Sequence, residues 1–458
     1  MHVIGIIAEY NPFHQGHAYQ IQKIQEAIAP HCGSGENTAI IAVMSGSFTQ
    51  RGDAAVLDKW QRARLAVLGG CSLVLELPFL FACRSAQDFA RGGVRLLAAL
   101  GPVDTLAFGA ETAELAPLKA AAAAIDDQTT QTQLHKRLQL GESYAKALTG
   151  ILQAENGIDA NILKQPNNIL AIEYLRALRT CAPAIKPLLI ARRGAGYHET
   201  ALGPLASASA IRQELCQAKP DWPALQASLP EASFAMLQRA FPHGLAATER
   251  LFRPLLTKIL TMDSAHLRQI FGLQEGLENR LLTKARECTS LAELTQAMVT
   301  SRYPASRIGR IFPHLLLESR VDDVKAADKT GPLYARVLAF DETGRCLLHE
   351  FKKTAQVPLI TKVSHFLNSK ERQKGTALTP PARMLALDTA ATELRSLCLP
   401  EPWPMGQRAD DFTTSPLFCR TPMISRRLPC SFPKSYKFTS RCFPFIIKRI
   451  HQKNMKTV

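Results

Sequence analysis

Short apolar segments alternate with helical periodicity over the first 215 residues of the chain. Strands separated by helices at this spacing predict an α/β fold, in which a parallel sheet carries helices on both faces. Ligands of such sheets bind at the carboxyl ends of the strands. The predicted strands span residues 3–8, 38–44, 73–77, 105–108 and 187–191.

The first predicted strand leads directly into the stretch GIIAEYNPFHQGH, residues 5–17. Its Asn11-Pro12 pair predicts a turn, and His14 and His17 then stand on the first turn of a predicted helix. Two side chains three residues apart on a helix point the same way, here beside free backbone N–H groups and the positive end of the helix dipole. The pattern predicts an anion site that suits phosphates.

The intervening Gly16 has no side chain, so a nucleotide base or ribose can approach the backbone closely. An alternative interpretation makes His14 and His17 surface or capping residues. We favour the functional interpretation because the strand, the turn, the glycine and the helix agree on one arrangement.

Other stretches along the chain are as distinctive as this motif. They are MSGSFTQRGDAA (44–55), LVLELPF (73–79), FGAE (108–111), QPNNIL (165–170), RRGAGYHE (192–199), SASAIR (207–212) and DFTTSP (411–416). With GIIAEYNPFHQGH, they make residues 1–416 resemble the bacterial tRNA(Met) cytidine acetate ligase family, a branch of the HxGH nucleotidyltransferase superfamily. The resemblance implies an enzyme that activates acetate with ATP as acetyl-adenylate. It then acetylates the wobble cytidine of elongator tRNA(Met), giving N4-acetylcytidine.

The resemblance also implies an ATP site in which His14 and His17 are the catalytic pair. These two residues would hold the phosphates and stabilise the departing pyrophosphate. The other implied ATP contacts are Ile7, Ala8, Glu9, Tyr10, Asn11, Pro12, Phe13, Gln15, Gly16, Ala18, Tyr19, Gln20, Gly109, Asn167 and Arg192.

The last three of these positions suit a nucleotide on chemical grounds, and each has a plain alternative. Arg192 offers a planar fork of donors for phosphate, or is a solvent-exposed arginine. Gly109 leaves room above a strand end, or is a turn glycine. Asn167 can read an adenine edge or a ribose, or caps a helix. Motif alignment selects Asn167 over Asn168 and Arg192 over its neighbour.

The SASAIR stretch resembles the second superfamily motif, which binds the triphosphate, so Ser209 and Arg212 are possible phosphate contacts. As an N-cap, Ser209 would need no ligand. Arg212 is harder to explain without one, because a cation in the first turn opposes the helix dipole unless an anion binds there.

Basic residues beyond this domain are candidate tRNA contacts, because phosphates attract Lys and Arg regardless of sequence. Many such charges are simply solvated. Arg51, in a predicted loop, could face acetate, ATP or RNA. The other candidates are Arg302, Tyr303, Arg307, Arg310, Lys352, Lys353, Lys362, Lys370, Arg372 and Lys374.

The chain divides into a Rossmann-like nucleotidyltransferase domain that binds ATP (1–215), a helical domain (216–330) and a small α/β C-terminal module that contacts tRNA (331–416). In the module we predict a hairpin whose strands span residues 334–340 and 346–351.

The net charge of +16 would ordinarily indicate a polyanionic partner. Ten basic residues and no acidic ones fall in residues 417–458, which leaves residues 1–416 at +6. This basic tail shows no periodicity, so we predict a disordered extension or an altered reading frame rather than a nucleic-acid-binding arm.

Two other classes of protein are disfavoured. Eleven widely spaced cysteines form neither a disulfide framework nor a zinc site. The sequence shows no dedicated carboxylate cage for a metal, so Mg²⁺ would arrive with ATP, held mainly by phosphate oxygens. The N-terminal apolar run meets Glu9 too soon for a secretory signal, and Gly, Glu and Pro punctuate residues 65–83. We expect a cytoplasmic protein without a membrane partner.

Two competing functions stay open. The first is an adenylyltransferase that makes a small nucleotide cofactor, although such enzymes are usually compact and this chain continues far beyond Arg212. The second is a non-enzymatic RNA-binding protein with a residual nucleotide fold, which the intact HxGH and SxIR-like motifs disfavour.

Overall fold

The computed structural model describes residues 1–31, 38–192, 202–368, 371, 377–401, 411–412 and 414–420. The strands in this part of the chain build one eight-stranded sheet in the order β5-β4-β1-β2-β3-β6-β7, with β8 paired to β6. Neighbouring strands are parallel except for β3 and β6, which are antiparallel. The strands are β1 (His2–Ala8), β2 (Thr38–Ser45), β3 (Leu73–Leu77), β4 (Thr105–Ala110), β5 (Lys186–Ala191), β6 (Ala335–Phe340), β7 (Leu359–Ile360) and β8 (Leu417–Phe418).

Helices cover both faces of this sheet and continue beyond it. The α-helices are α1 (Gln15–Ile28), α2 (Lys59–Leu68), α3 (Phe79–Ala82), α4 (Ala86–Leu100), α5 (Leu115–Ile125), α6 (Gln128–Gln139), α7 (Tyr144–Asn156), α8 (Pro166–Cys181), α9 (Ala208–Leu215), α10 (Trp222–Ser228), α11 (Glu231–Ala240), α12 (Phe252–Thr261), α13 (Ser264–Gln269), α14 (Leu277–Lys284), α15 (Leu291–Met298), α16 (Ala305–Leu316), α17 (Val321–Thr330), α18 (Glu342–Thr354) and α19 (Pro380–Ser396). Short 3₁₀ turns span Ala29–His31, Ile162–Lys164, Phe241–His243, Thr248–Leu251 and Val363–His365.

Alternation along β1 divides the core into two layers. Val3 and Ile7 face a cluster that includes α4, α5, α8 and α19. Ile4 and Ile6 face a second cluster that includes α1, α2, α9 and α11. Both faces are thus covered, as a mostly parallel sheet requires. The predicted α/β fold and all five strands predicted in the first 215 residues are confirmed.

A separate apolar core lies within helices α12 to α16. Helix α16 contributes Ile308, Ile311, Phe312 and Leu315, whose spacing places them on one helix face. Helix α16 was not among the predicted helices; its Pro313 stands in the last turn, where the chain is about to leave the helix. The boundaries at 216–330 and 331–416 stay predictions.

The hairpin predicted over residues 334–351 is wrong in its second half. Asp341 instead caps α18, because its carboxylate accepts the Gly344 N–H at 2.8 Å. Leu347 and Phe351, four residues apart, are buried on one face of that helix. The first predicted strand is β6, and it joins the main sheet beside β3 rather than forming a sheet of its own.

The basic tail begins later than predicted. Residues 417–420 are ordered, since β8 pairs with β6 and Cys419 is buried. The remainder, residues 421–458, lies outside the described residues, as do Lys370, Arg372 and Lys374. In the described part of the chain, no helix is long and apolar enough to cross a membrane.

Four buried charges from distant parts of the chain meet where β3 joins β6. Lys59 Nζ lies 2.8 Å from Glu76 and 2.9 Å from Asp411, while Arg336 lies 3.0 Å from Glu76 and 2.8 Å from Asp411. Burial alone would raise the pKa of Asp411, but Arg336 and Lys59 hold it below its usual value. The network therefore fastens the DFTTSP stretch to the sheet.

We predict that Asp411→Asn lowers the free energy of unfolding by about 3–5 kcal/mol, because it leaves two buried cations with one carboxylate. Urea denaturation followed by circular dichroism measures the loss. Glu342→Gln is the control, since it removes an ion pair with Arg345 in which both side chains are about half exposed. Equal, small losses in both variants would contradict a stabilising role for the network.

Candidate active site

Two buried aromatic rings hold the turn that follows β1. Tyr10 adopts a left-handed φ of 49°, and the Asn11-Pro12 peptide bond is cis. The rings of Tyr10 and Phe13 lie 5.0 Å apart, and both side chains are buried. Both rings belong to the core cluster that includes α1 and α2. The turn is therefore fixed, and it positions His14 at the start of α1.

His14 and His17 cap α1 with their own rings. His14 Nδ1 accepts the Gly16 N–H at 3.0 Å, and His17 Nδ1 accepts the His14 N–H at 3.2 Å. A neutral imidazole that accepts at Nδ1 carries its proton on Nε2. Neither Nε2 atom has a hydrogen-bond partner among the described residues. The capping interpretation is therefore correct, and it leaves each ring one donor for a ligand.

Both imidazoles are neutral in this setting. Burial, with the charges of Arg192 and Arg212, lowers the pKa of His14 to about 3. Burial, with His14 and Arg192, lowers the pKa of His17 well below its usual value. The pair thus presents two neutral N–H donors in a region that two arginines make positive, which is the chemistry of an anion site.

Arg212 reaches the same turn from the last turn of α9, so the first-turn position predicted for it is wrong, because the helix begins at Ala208. Its Nη1 donates to the Asn11 carbonyl at 2.9 Å, and its Nη2 donates to Ser209 Oγ at 3.3 Å. The N-cap role considered for Ser209 is wrong, because Ser207 caps α9 by accepting the Ala210 N–H at 3.1 Å. Ser209 instead contacts Arg212 through its hydroxyl, and the phosphate contacts of both residues stay predictions.

Three of the predicted ATP contacts meet at the ends of β4 and β5. Arg192 Nη1 donates to Asn167 Oδ1 at 3.4 Å, and Asn167 Nδ2 donates to Glu111 at 2.5 Å. A Cβ atom on Gly109 would lie 3.3 Å from Arg192 Cγ. Arg192 links this group to the histidines electrostatically, because its positive charge lowers the pKa of both His14 and His17.

The structure separates Asn167 from Asn168. Asn168 is buried, and its amide is used by Thr112, whose N–H and Oγ it contacts at 2.9 Å each. Asn167 is half-buried at the start of α8, where its side chain faces Arg192. The geometry therefore favours Asn167 as the ligand-facing residue. Residue 193 lies outside the described residues.

Two residues that the sequence analysis did not assign hold these groups in place. Glu111 accepts the backbone N–H groups of Asn167 at 3.3 Å and Asn168 at 2.8 Å, which caps α8. The fully buried Arg62 donates to the carbonyls of Glu9 at 2.6 Å and Leu57 at 3.2 Å, and also to that of Gly46. Glu111 belongs to the FGAE motif. No local sequence pattern, however, indicates that Glu111 accepts the N–H groups of α8 or that Arg62 donates to these carbonyls.

The remaining predicted contacts surround the histidine turn. Ile7 and Ala8 end β1, and Gln15, Ala18, Tyr19 and Gln20 lie half-buried on the first turns of α1. Among the described residues, no group of three or more His, Cys, Asp or Glu side chains is placed to hold a metal ion.

The candidate RNA contacts do not lie on one surface. α18 starts beside Ser72, before β3, and Thr354 near its end donates to Leu100 at 2.9 Å, before β4. Lys352 and Lys353 on this helix are therefore at the amino ends of the strands, opposite the histidines. Helix α16 approaches the site instead, since a Cβ atom on Gly52 would lie 2.3 Å from the Gly309 carbonyl.

Comparisons with known proteins identify relatives of this chain. The family model for HIGH Nucleotidyl Transferase matches residues 1–410. A tRNA(Met) cytidine acetate ligase from Syntrophomonas wolfei is 37% identical over 426 residues, covering 91% of this chain and 99% of the relative. One from Syntrophotalea carbinolica has the same identity and coverage.

Two solved structures share the fold. The crystal structure of Thermotoga maritima TmcAL in its apo form superposes with a TM-score of 0.81 at 32% identity. That of Thermotoga maritima TmcAL bound with alpha-thio ATP superposes with a TM-score of 0.80 at 31% identity. Each match covers 92% of this chain and 100% of the other.

We predict that His14 and His17 are neutral Nε2–H tautomers in the unliganded protein at pH 6. A histidine in the unfolded chain would be largely protonated there, whereas the pKa of His14 is lowered to about 3. Long-range ¹H–¹⁵N correlation spectra of histidine-labelled protein distinguish the tautomers. The exposed His266, paired with Asp263, serves as an internal control outside the site. Imidazolium signals from the site histidines at pH 6 would contradict the assignment.

Proposed function

Because the chain belongs to the HIGH nucleotidyl transferase family, and within it to the tRNA(Met) cytidine acetate ligases, we propose that it acetylates the wobble cytidine of elongator tRNA(Met) with acetate and ATP. The observation that carries this proposal is the pair of neutral N–H donors on His14 and His17. They stand at a helix start, beside two arginines. We propose a cytoplasmic location, since the tRNA substrate is found there.

The first half-reaction forms acetyl-adenylate. An acetate oxygen attacks the α-phosphorus of ATP, the bond to the β-phosphate oxygen breaks, and pyrophosphate leaves. Charge accumulates on phosphate oxygens, so positioned donors are what the protein must supply. His14, His17 and Arg212 provide such donors from one turn and one helix start. Mg²⁺ enters with ATP as part of the substrate, held mainly by phosphate oxygens.

The second group holds the nucleoside end of ATP. Asn167 offers an amide for the adenine edge or the ribose, and Arg192 offers a guanidinium fork for phosphate. Gly109 leaves the strand end open beside them. Ser209 would add a hydroxyl near the triphosphate through its contact with Arg212.

Helix α16 is the best-supported tRNA contact. Arg302 is paired with Glu275 at 3.0 Å, so it is already compensated. Arg307 lies 4.5 Å from the Tyr303 ring and has no carboxylate partner among the described residues. Burial lowers the pKa of Arg310, and the nearby charges of Arg307 and Arg51 lower it further. A cluster of like charges beside the active-site loop suits a polyphosphate backbone.

The alternative is an adenylyltransferase that makes a small nucleotide cofactor. Both functions use the same anion site, so the acceptor distinguishes them. Exchange of labelled pyrophosphate into ATP that depends on acetate supports the ligase. Exchange that requires a nucleotide-like acceptor instead would support the adenylyltransferase.

We predict that His14→Ala or His17→Ala reduces acetate-dependent pyrophosphate exchange about 100-fold or more, because each removes a donor to the phosphates. Affinity for tRNA(Met), measured by filter binding, should stay near that of the unaltered protein. His266→Ala, an exposed histidine paired with Asp263, is the matched control and should exchange normally. Normal exchange in the site variants would contradict the assigned roles.

We also predict that Arg307→Ala with Arg310→Ala weakens tRNA(Met) binding about tenfold or more and lowers its salt dependence, because two phosphate contacts are lost. Pyrophosphate exchange should persist. Lys352→Ala with Lys353→Ala is the control, because these residues lie at the opposite edge of the sheet. Equal weakening in both double variants would place the tRNA surface elsewhere.

A further inference from the structure

The second half-reaction of the proposed function leaves a proton without an assigned acceptor. When the cytidine N4 amine attacks the acetyl carbonyl carbon, a C–N bond forms and the bond from that carbon to the AMP phosphate oxygen breaks. The electron pair leaves with AMP, and one amine proton must go to a base. His14 and His17 are neutral donors whose Nδ1 atoms are already used, so they do not suit this role.

Glu9 is a carboxylate beside the histidine turn. It follows β1 directly and precedes the turn that carries His14. One carboxylate oxygen accepts the Gln50 N–H at 2.5 Å, whereas the other has no hydrogen-bond partner in the described part of the chain. Glu9 is half-buried rather than fully enclosed in the core, so a cytidine ring can reach its carboxylate.

The charges around Glu9 come from several elements. Burial raises its pKa, the Gln50 N–H and Arg212 lower it, Asp53 raises it and Arg62 lowers it. Glu9 also acts on two buried neighbours, the Cys83 thiol and the Tyr174 hydroxyl, whose pKa values are raised mainly by burial. The charge of Arg212 lowers the pKa of both Glu9 and His14, so one guanidinium acts on the carboxylate and on a phosphate donor.

The same loop connects Glu9 with the proposed tRNA surface. Gln50 bonds to Glu9 through its backbone and to the Arg84 carbonyl at 2.9 Å through its side chain. Two residues later, Gly52 adopts a φ of 90° and touches Gly309 of α16. A side chain at either glycine would separate the loop from the helix. An RNA bound by the arginines of α16 therefore lies one loop away from the Glu9 carboxylate.

We propose, on the basis of the ligase function above, that Glu9 is the general base that takes the N4 proton from cytidine as the acetyl group is transferred. The free carboxylate oxygen accepts the proton, and AMP departs as the leaving group. Glu9 then has no part in the displacement at the α-phosphorus. The inference predicts that the two half-reactions respond differently to its replacement.

The test uses Glu9→Gln in the full chain, because a Gln side-chain oxygen still accepts the Gln50 N–H while it cannot take a proton. Because Glu9 is also an implied ATP contact, both half-reactions are compared at saturating ATP, where pyrophosphate exchange should fall by less than about tenfold. Single-turnover transfer from preformed acetyl-adenylate to unmodified tRNA(Met) should fall about 100-fold or more, the range that general bases contribute. Glu9→Asp should retain part of the transfer rate, and Glu26→Gln, on the exposed face of α1, is the carboxylate control.

The pH profile separates a base from a positioning residue. Transfer by the unaltered enzyme should slow as pH falls through the raised pKa of Glu9, since protonation removes the base. Transfer by Glu9→Gln should lack that decline. Normal transfer, equal loss of exchange and transfer, or slow transfer with the decline intact would each overturn the inference. Absence of acetate-dependent exchange in the unaltered enzyme would instead overturn the ligase function itself.

Discussion

A single buried guanidinium fixes the two loops between which the proposed chemistry takes place. Arg62 donates to the carbonyls of Glu9, Gly46 and Leu57. Burying a charge without a carboxylate partner is costly unless its donors are satisfied, and three carbonyls satisfy them here. Burial lowers the pKa of Arg62 to about 10, so it stays charged at neutral pH. The carboxyl ends of β1 and β2 are thereby held at one separation.

Helix α2, which carries Arg62, also stabilises the junction between β3 and β6. Lys59, one turn earlier on α2, bonds to Glu76 on β3 and to Asp411, which lies 352 residues away in the chain. Arg336 on β6 closes the network. One helical turn thus couples the histidine turn to β6, a strand from far along the chain. This explains why residues beyond 330 belong to the main sheet, although none of them contributes a predicted ATP contact.

The sequence was most informative where local pattern and local chemistry agree. The five parallel strands and the start of α1 could be placed from apolar runs, and the candidate site residues His14, His17 and Arg212 from two motifs. β6 could be predicted as a strand but not as the partner of β3, because pairing across such a distance leaves no local signal. Leu347 and Phe351 fit a strand or a helix equally in a short window, and only the Asp341 cap decides for the helix.

In the proposed mechanism, the groups that bind phosphate keep the same charge across physiological pH, whereas the proposed base changes its charge. His14 and His17 are held neutral by burial and by neighbouring positive charge, so their donor capacity does not change across physiological pH. A protonated imidazole would bind phosphate more strongly, but it would also release pyrophosphate and AMP more slowly. Glu9 differs from them, because burial raises its pKa and its carboxylate can therefore take up a proton more readily. A ligase that must first bind a polyanion and then remove a proton from an amine gains from this separation, because neither step alters the charge state on which the other depends.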